Sequence, residues 1–400
     1  MTSAASDSAA SRSISLLPYM LQAFACSMAM MSFVALAGPI ARVLRLEPWH
    51  LGMTMTVSGI AWMIMSRVWG AASDRRGRRP ILLTGVGAFA VLYLCLSIFI
   101  DVALRISLAP LAALAGLLIG RTLVGLFYAA VPAATMALVA DHVPAQRRAA
   151  AMATVGAASA AGMVVGPGFA GLVAPYGMAI PLYATAALPL CAFLILWRVL
   201  PHDAPRGAAN KAPLAFSDHR LRGATVTAFV AMFSVAVAQI TVGFFALDRL
   251  NLATGDAART AGVALALVGL ALVCAQTVLR RLDWTPARMI RVGSVIGAAG
   301  FASVVIATSP QALWIGFTVA AFGMGWVYPS VSALAANAVK PHEQGAAAGI
   351  VGAAQGLGTI CGPIAGTVIH TADPGLPYVL TAAMLLATAM FLTERTPASG

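Results

Sequence analysis

Apolar and polar positions along the chain sort into hydrophobic runs of about 20 residues separated by short charged loops. A helix rises about 1.5 Å per residue, so each run can cross roughly 30 Å of hydrocarbon. The pattern predicts twelve spans, at 15–41, 51–72, 81–104, 110–139, 149–173, 179–200, 223–248, 261–280, 292–308, 312–336, 345–369 and 376–392. Residues 1–14 are polar and Ser/Ala-rich, without the basic stretch and apolar core of a cleaved signal, so the first span is expected to stay in the mature chain.

Composition agrees with a bilayer as the solvent. The 400 residues are 60% hydrophobic and only 10% charged, beyond the apolar content of a soluble domain. A net charge of +12 could suggest nucleic acid, but the placement of the charges removes that reading. Seventeen Lys and Arg residues fall in alternate loops counted from the N-terminus, against five in the opposite loops. This positive-inside bias predicts cytoplasmic termini in a bacterial-type inner membrane.

The longest polar stretch between spans, Pro201 to Gly223, divides the chain. It predicts tails at 1–14 and 393–400, six-helix bundles at 15–200 and 223–392, and a linker at 201–222. The halves repeat. "ALVADHVPAQRRAAAMATVGAASAAGMVVGP" (137–167) aligns without a gap on "ALAANAVKPHEQGAAAGIVGAAQGLGTICGP" (333–363), at an offset of 196. That register pairs Gly156 with Gly352, Gly162 with Gly358, Gly166 with Gly362 and Pro167 with Pro363. The chain therefore reads as all-α, a duplicated membrane bundle with its substrate site between the halves.

Between the second and third spans stands "GAASDRRGRRP", Gly70 to Pro80. Gly70-x-x-x-Asp74-Arg75-x-Gly77-Arg78-Arg79 resembles the loop motif of the major facilitator superfamily, in its drug/metabolite:proton antiporter type. Ala72 and Arg76 depart from the usual pattern, and a faded copy survives at Asp283, Pro286 and Arg288. The resemblance implies a gate: Asp74 meets the N-terminus of span eleven near Gly345, and Arg78 pairs with Asp141. A plain positive-inside anchor would need neither the aspartate nor the placed glycines.

"GMVVGPGFAG" in span five resembles the G-x-x-x-G-P motif of superfamily members that export substrate against protons, and span eleven repeats it. The glycines allow close helix packing, and the proline removes a backbone hydrogen bond. In span four, Arg121 followed by Gly125 resembles the family's fourth-helix motif, with Val124 departing from it. Arg121 sits about 15 Å into its span. A charge at that depth is costly and marks function. No carboxylate is as deep; Asp101 and Asp248, near span ends, are the candidates for proton coupling. Tyr19, Gln22, Tyr128, Gln239, Trp326, Tyr328 and Gln355 are the candidate lining of a central cavity, suited to an uncharged or zwitterionic molecule or to an anion drawn by Arg121.

These readings lead to a proton-coupled exporter of a small organic molecule, working by alternating access. The alternative is a dedicated exporter of a self-made metabolite such as a siderophore. The expected partners are the substrate, protons and lipid, with no nucleic acid, and the chain is expected to act as a monomer. No metal or cofactor is expected: the five cysteines are scattered, the six histidines form no cluster, and no G-x-x-x-x-G-K-[ST] occurs. A membrane-embedded enzyme would need paired acids, clustered histidines or an activated nucleophile within the spans. A sensor would need an output domain larger than the linker.

Overall fold

The fold is that of a computed structural model describing residues 15–200, 218–279, 281, 283–340 and 343–391. Both expected tails and most of the expected linker lie outside the described residues. Among the described residues thirteen α-helices follow one another, with one 3₁₀ turn (Ala174–Tyr176) after the sixth: α1 (Leu17–Val43), α2 (Pro48–Arg76), α3 (Arg78–Arg105), α4 (Pro110–Tyr128), α5 (Ala130–His142), α6 (Ala145–Val173), α7 (Ile180–Val199), α8 (Arg222–Asp248), α9 (Thr254–Leu279), α10 (Pro286–Val305), α11 (Pro310–Asn337), α12 (Gln344–His370) and α13 (Leu376–Phe391). Among the described residues there is no strand.

Proline and small polar residues set the helix starts. A proline occupies the first turn of α1, α2, α4, α10 and α11, where its missing N–H has no helical partner to lose. The hydroxyls of Thr285 and Ser309 accept the next free N–H groups of α10 and α11. Gly77 alone separates α2 from α3, at φ +93°, a conformation that costs any other residue.

The expected fourth span is two segments, α4 and α5, broken at Ala129. Pro132 has no N–H to give the Tyr128 carbonyl, so the hydrogen-bond ladder lapses one turn before it. Several helices also outrun the apolar runs that predicted them. The second runs 48–76 rather than 51–72, the fifth begins at 145 rather than 149, the eighth at 254 rather than 261, and the ninth at 286 rather than 292, though the ninth stops at 305, short of the expected 308. Hydropathy detects the part of a helix in hydrocarbon, whereas the hydrogen-bond ladder continues into the polar boundary.

Among the described residues ten helical stretches are long and apolar enough to cross a membrane, α4 and α5 together forming one. α2, with charge at its end, and the shorter apolar α13 complete twelve spans. Packing is duplicated: α1 lies on α6 as α8 lies on α12, α2 on α4 as α9 on α11, and α3 on α7 as α10 on α13. The halves meet through α2 with α12, α6 with α9, and α1 with α8.

Candidate functional site

The duplicated glycines lie on equivalent seams. A Cβ added at Gly166 would stand 2.5 Å from the Met28 carbonyl oxygen of α1, and one at Gly362 would stand 3.0 Å from that of Phe233 in α8. Gly162 packs one turn away, against the Phe24 carbonyl, and Gly358 against the Phe229 carbonyl. The prolines that follow reach across to the other half. The Pro167 carbonyl abuts Gly262 of α9, and the Pro363 carbonyl abuts Gly52 of α2. Each G-x-x-x-G-P helix thus holds its own half with its glycines and touches the opposite half beside its proline.

Between the halves lies a cavity of about 590 Å³. α1 contributes Ser27, Met30 and Met31, and α2 contributes Met55, Ser58 and Trp62. Arg121 and Tyr128 come from α4, Ser159 and Met163 from α6, Met232 and Gln239 from α8, and Gln355 and Thr359 from α12. Toward the α1–α2 end it stops at Ile360 and Pro363, where Thr56 Oγ1 donates to the Ile360 carbonyl at 2.6 Å and α2 meets α12. Toward the α2–α3 end it runs past Gly352 and Gly356. Beyond them Gly349, Gly345 and Gly70 have no neighbouring atom within 4 Å of an added Cβ. The halves are in contact at one end and parted at the other.

Five of the predicted residues meet at this cavity: Arg121, Tyr128, Gln239, Gln355 and, at its closed end, Pro363. The other four expected lining residues face elsewhere. Tyr19 is buried in the helix core, and Gln22 turns to α5, where its side-chain oxygen accepts from Thr135 Oγ1 at 2.9 Å. Trp326 donates its indole N–H to the Ala275 carbonyl at 3.0 Å, and Tyr328 packs against the core. A polar tip on a membrane helix must find a partner, and for Gln22 and Trp326 the partner lies inside one half. Sequence reasoning passed over the lining methionines and serines. A methionine in a membrane helix carries no signal separating cavity from lipid, and a serine can satisfy itself on its own helix.

Arg121 is 3% exposed. Its terminal nitrogens approach Met30 Sδ at 3.6 Å and Met55 Sδ at 3.2 Å, and its Cζ lies 4.6 Å from the centre of the Phe33 ring. Its Nε is buried without a hydrogen-bond partner. Neither candidate carboxylate comes to it. Asp101 accepts from Arg105 Nε at 2.9 Å and Tyr183 Oη at 3.1 Å. Asp248, at the end of α8, pairs with Arg42 of α1 and with His370 Nε2 of α12 at 2.9 Å.

The loop motif is half assembled. Arg78 pairs with Asp74 and with Asp141, whose Oδ2 lies 3.3 Å from Nε, and Arg79 donates to the Trp197 carbonyl at 3.2 Å. Gly77 makes the turn, and Arg75 lies in the last turn of α2. Asp74 does not touch α12: its partner is Arg78, because α2 and α12 have separated at this end.

A duplicated set of twelve spanning helices around a cavity between its halves is the architecture of a secondary transporter. The family model of the Major Facilitator Superfamily matches residues 19–302 and 227–400, and the chain belongs to that superfamily. It is 26% identical over 345 residues to the class G tetracycline resistance protein of Vibrio anguillarum, covering 82% of each chain. It is also 26% identical over 360 residues to a Lactococcus lactis homologue of the multi-drug resistance efflux pump PmrA, covering 86% of this chain and 82% of that one. Among solved structures, an inward-facing, unoccupied bacterial homologue of the human lysosomal transporter Spinster superposes with a TM-score of 0.72 at 14% identity, covering 94% of each chain. A D-xylose–proton symporter gives 0.73 at 14% identity, covering 96% of this chain and 98% of that one. These likenesses show the fold.

Proposed function

We propose that this membrane transporter exports small organic molecules from the cytoplasm in exchange for protons. The observation that carries the reading is the central cavity, closed at the α1–α2 end and open at the arginine-rich α2–α3 end. By the positive-inside bias the open end faces the cytoplasm of a bacterial-type cell, both termini lie there, and the membrane is the inner one. Relatives described as tetracycline resistance and multi-drug efflux proteins support export as the direction. One chain contains the whole cavity, in keeping with a monomer.

Of the two carboxylates, Asp248 suits proton coupling better. Its partner Arg42 belongs to the other half, so the pairing must break when the halves part at that end, whereas Asp101 is held by residues of its own half. In the closed-cytoplasm state Asp74 reaches the first turn of α12. An oxidised Asp74→Cys/Gly345→Cys pair should therefore trap that state, and absence of any cross-link during turnover would remove the latch.

The test of function uses inverted membrane vesicles offered a mixed panel of antibiotics, dyes, aromatic acids and metallophores. Vesicles bearing the protein should accumulate some of the panel, and an uncoupler should abolish the accumulation. Accumulation indifferent to the uncoupler would rule out proton exchange. Enrichment of metallophores alone would indicate secretion of a self-made metabolite rather than drug efflux.

A further inference from the structure

Among the described residues, the buried cation on the cavity wall, Arg121, has no counter-ion. A guanidinium offers five N–H donors and accepts none, while a thioether sulfur is a weak acceptor. Arg121 spends its terminal nitrogens on Met30 and Met55 and leaves Nε unsatisfied. Among the described residues no acid lines the cavity, and Asp74 and Asp141 pair with Arg78, Asp101 with Arg105, and Asp248 with Arg42 and His370. The other polar groups at the cavity, such as Ser27, Ser159, Gln239 and Gln355, are neutral. A buried charge is tolerated when it is paired, and among the described residues Arg121 has no such partner.

The walls describe the rest of the partner. Met30, Met55, Met163 and Met232 line the cavity with soft, conformable thioethers, together with the indole of Trp62. Such side chains accommodate flat aromatic bodies of varied outline. The volume, about 590 Å³, is that of a drug-sized ligand site.

We infer that the cavity binds amphipathic organic anions: a carboxylate or comparable oxyanion on Arg121, with an apolar, preferably aromatic body against the methionines and Trp62. The carboxylate takes up the donors that the sulfurs satisfy poorly, and bidentate pairing matches the planar fork. This deepens the proposed function and rests on the cavity being the transport site. It also excludes lipophilic cations, which an unpaired guanidinium repels.

The test compares three probes of the same shape on the purified full-length protein: 2-naphthoate, 2-naphthamide and 2-naphthylmethylammonium, read by calorimetry. The naphthoate should bind about tenfold or more tightly than the amide, with the ammonium weakest, as expected when a charge-assisted pair replaces a neutral contact. Arg121→Gln should bring naphthoate to the level of the amide without moving the amide, and Arg121→Lys should fall between. Equal binding of naphthoate and amide by the unmodified protein, or naphthoate binding indifferent to Arg121→Gln, overturns the inference. Should Arg121→Gln fail to fold, the ranking on the unmodified protein decides alone. Failure here is distinct from failure of transport. Uncoupler-sensitive export of neutral or cationic dyes with no anion preference sinks the anion site only, whereas Arg121-dependent naphthoate binding without any flux sinks the export reading only.

Discussion

At the α1–α2 end of the molecule, the outer end in the orientation proposed above, ionic and backbone contacts cross between the halves; at the α2–α3 end, cytoplasmic in that orientation, the charged loops tie each half to itself. Outside, Arg42 of α1 pairs with Asp248 of α8, Gly38 lies against Gly243, and Gly171 lies against Gly262. Inside, Arg78 joins α3 to Asp141 at the end of α5, and Arg220 joins the approach to α8 to Glu343 at the start of α12. Contacts across the seam decide which end is shut. Contacts within a half keep it rigid while it moves. The same paired helices, α2 with α12 and α6 with α9, can therefore close one end as they open the other.

The largest expected effect comes from overfilling the outer seam. A Cβ at Gly262 would stand 2.5 Å from the Pro167 carbonyl oxygen and 2.6 Å from Gly171 Cα, so Gly262→Leu forces backbone apart. Overpacking of this kind costs about 1–3 kcal/mol, enough to move a two-state ratio by roughly 5- to 150-fold. The inward-open population should fall, read as slower labelling of a Gly356→Cys reporter by an impermeant maleimide in inverted vesicles.

Gly349→Leu should act in the opposite direction. Nothing lies within 4 Å of its added Cβ in this state, so the inward-open form accepts the side chain and the cytoplasm-closed form does not. Reporter labelling should rise while transport falls about tenfold, by the same overpacking cost. Labelling that moves in one direction for both variants would dissolve the contrast between the ends.

Much of this was legible in the sequence, and the omissions share a cause. Hydropathy marked the spans, and the 196-residue register showed the duplication, because both are local properties of the chain. Which face of a helix looks into the cavity was not legible. α1 and α8 are buried nearly all round, and lipid and protein core are equally apolar, so no stripe distinguishes them. Hence Gln22 and Gln239 look alike as sequence, though one ties α1 to α5 and the other lines the cavity. The pairing of Arg42, Asp248 and His370 joins residues far apart in the chain, which no local pattern announces. The state of the transporter was hidden too, since one sequence must specify both.

Asp248→Asn tests the outer clasp more gently. It removes the anion that Arg42 and His370 share, but the Arg42 side chain is 49% exposed. Partly solvated pairs are worth about 0.2–1 kcal/mol. A shift toward the outward-open form of about 1.4- to fivefold follows, visible as a small fall in reporter labelling. No shift would mean that helix packing alone closes the outer end.

The smallest effect belongs to the cytoplasmic tie within the C-terminal half. Asp218 accepts from the Arg220 side chain and from its backbone N–H, the latter at 2.9 Å, while Arg220 also reaches Glu343 at 3.0 Å. Hydrogen bonds from the Arg220 side chain, then its backbone, hold the Asp218 carboxyl down at about 2, below the roughly 3.9 of an unfolded chain. A depressed carboxyl contributes stability that is complete above the unfolded value and is lost as pH falls through the folded one. The melting temperature of Asp218→Asn should therefore lie slightly below that of the unmodified protein above about pH 5, and the gap should close between about pH 4 and pH 2. Because the pairing stays inside one half, Asp218→Asn should leave reporter labelling unchanged at every pH where both proteins are folded. A labelling shift as large as that of Asp248→Asn would show that this tie also gates, and that the cytoplasmic charges do more than brace one half.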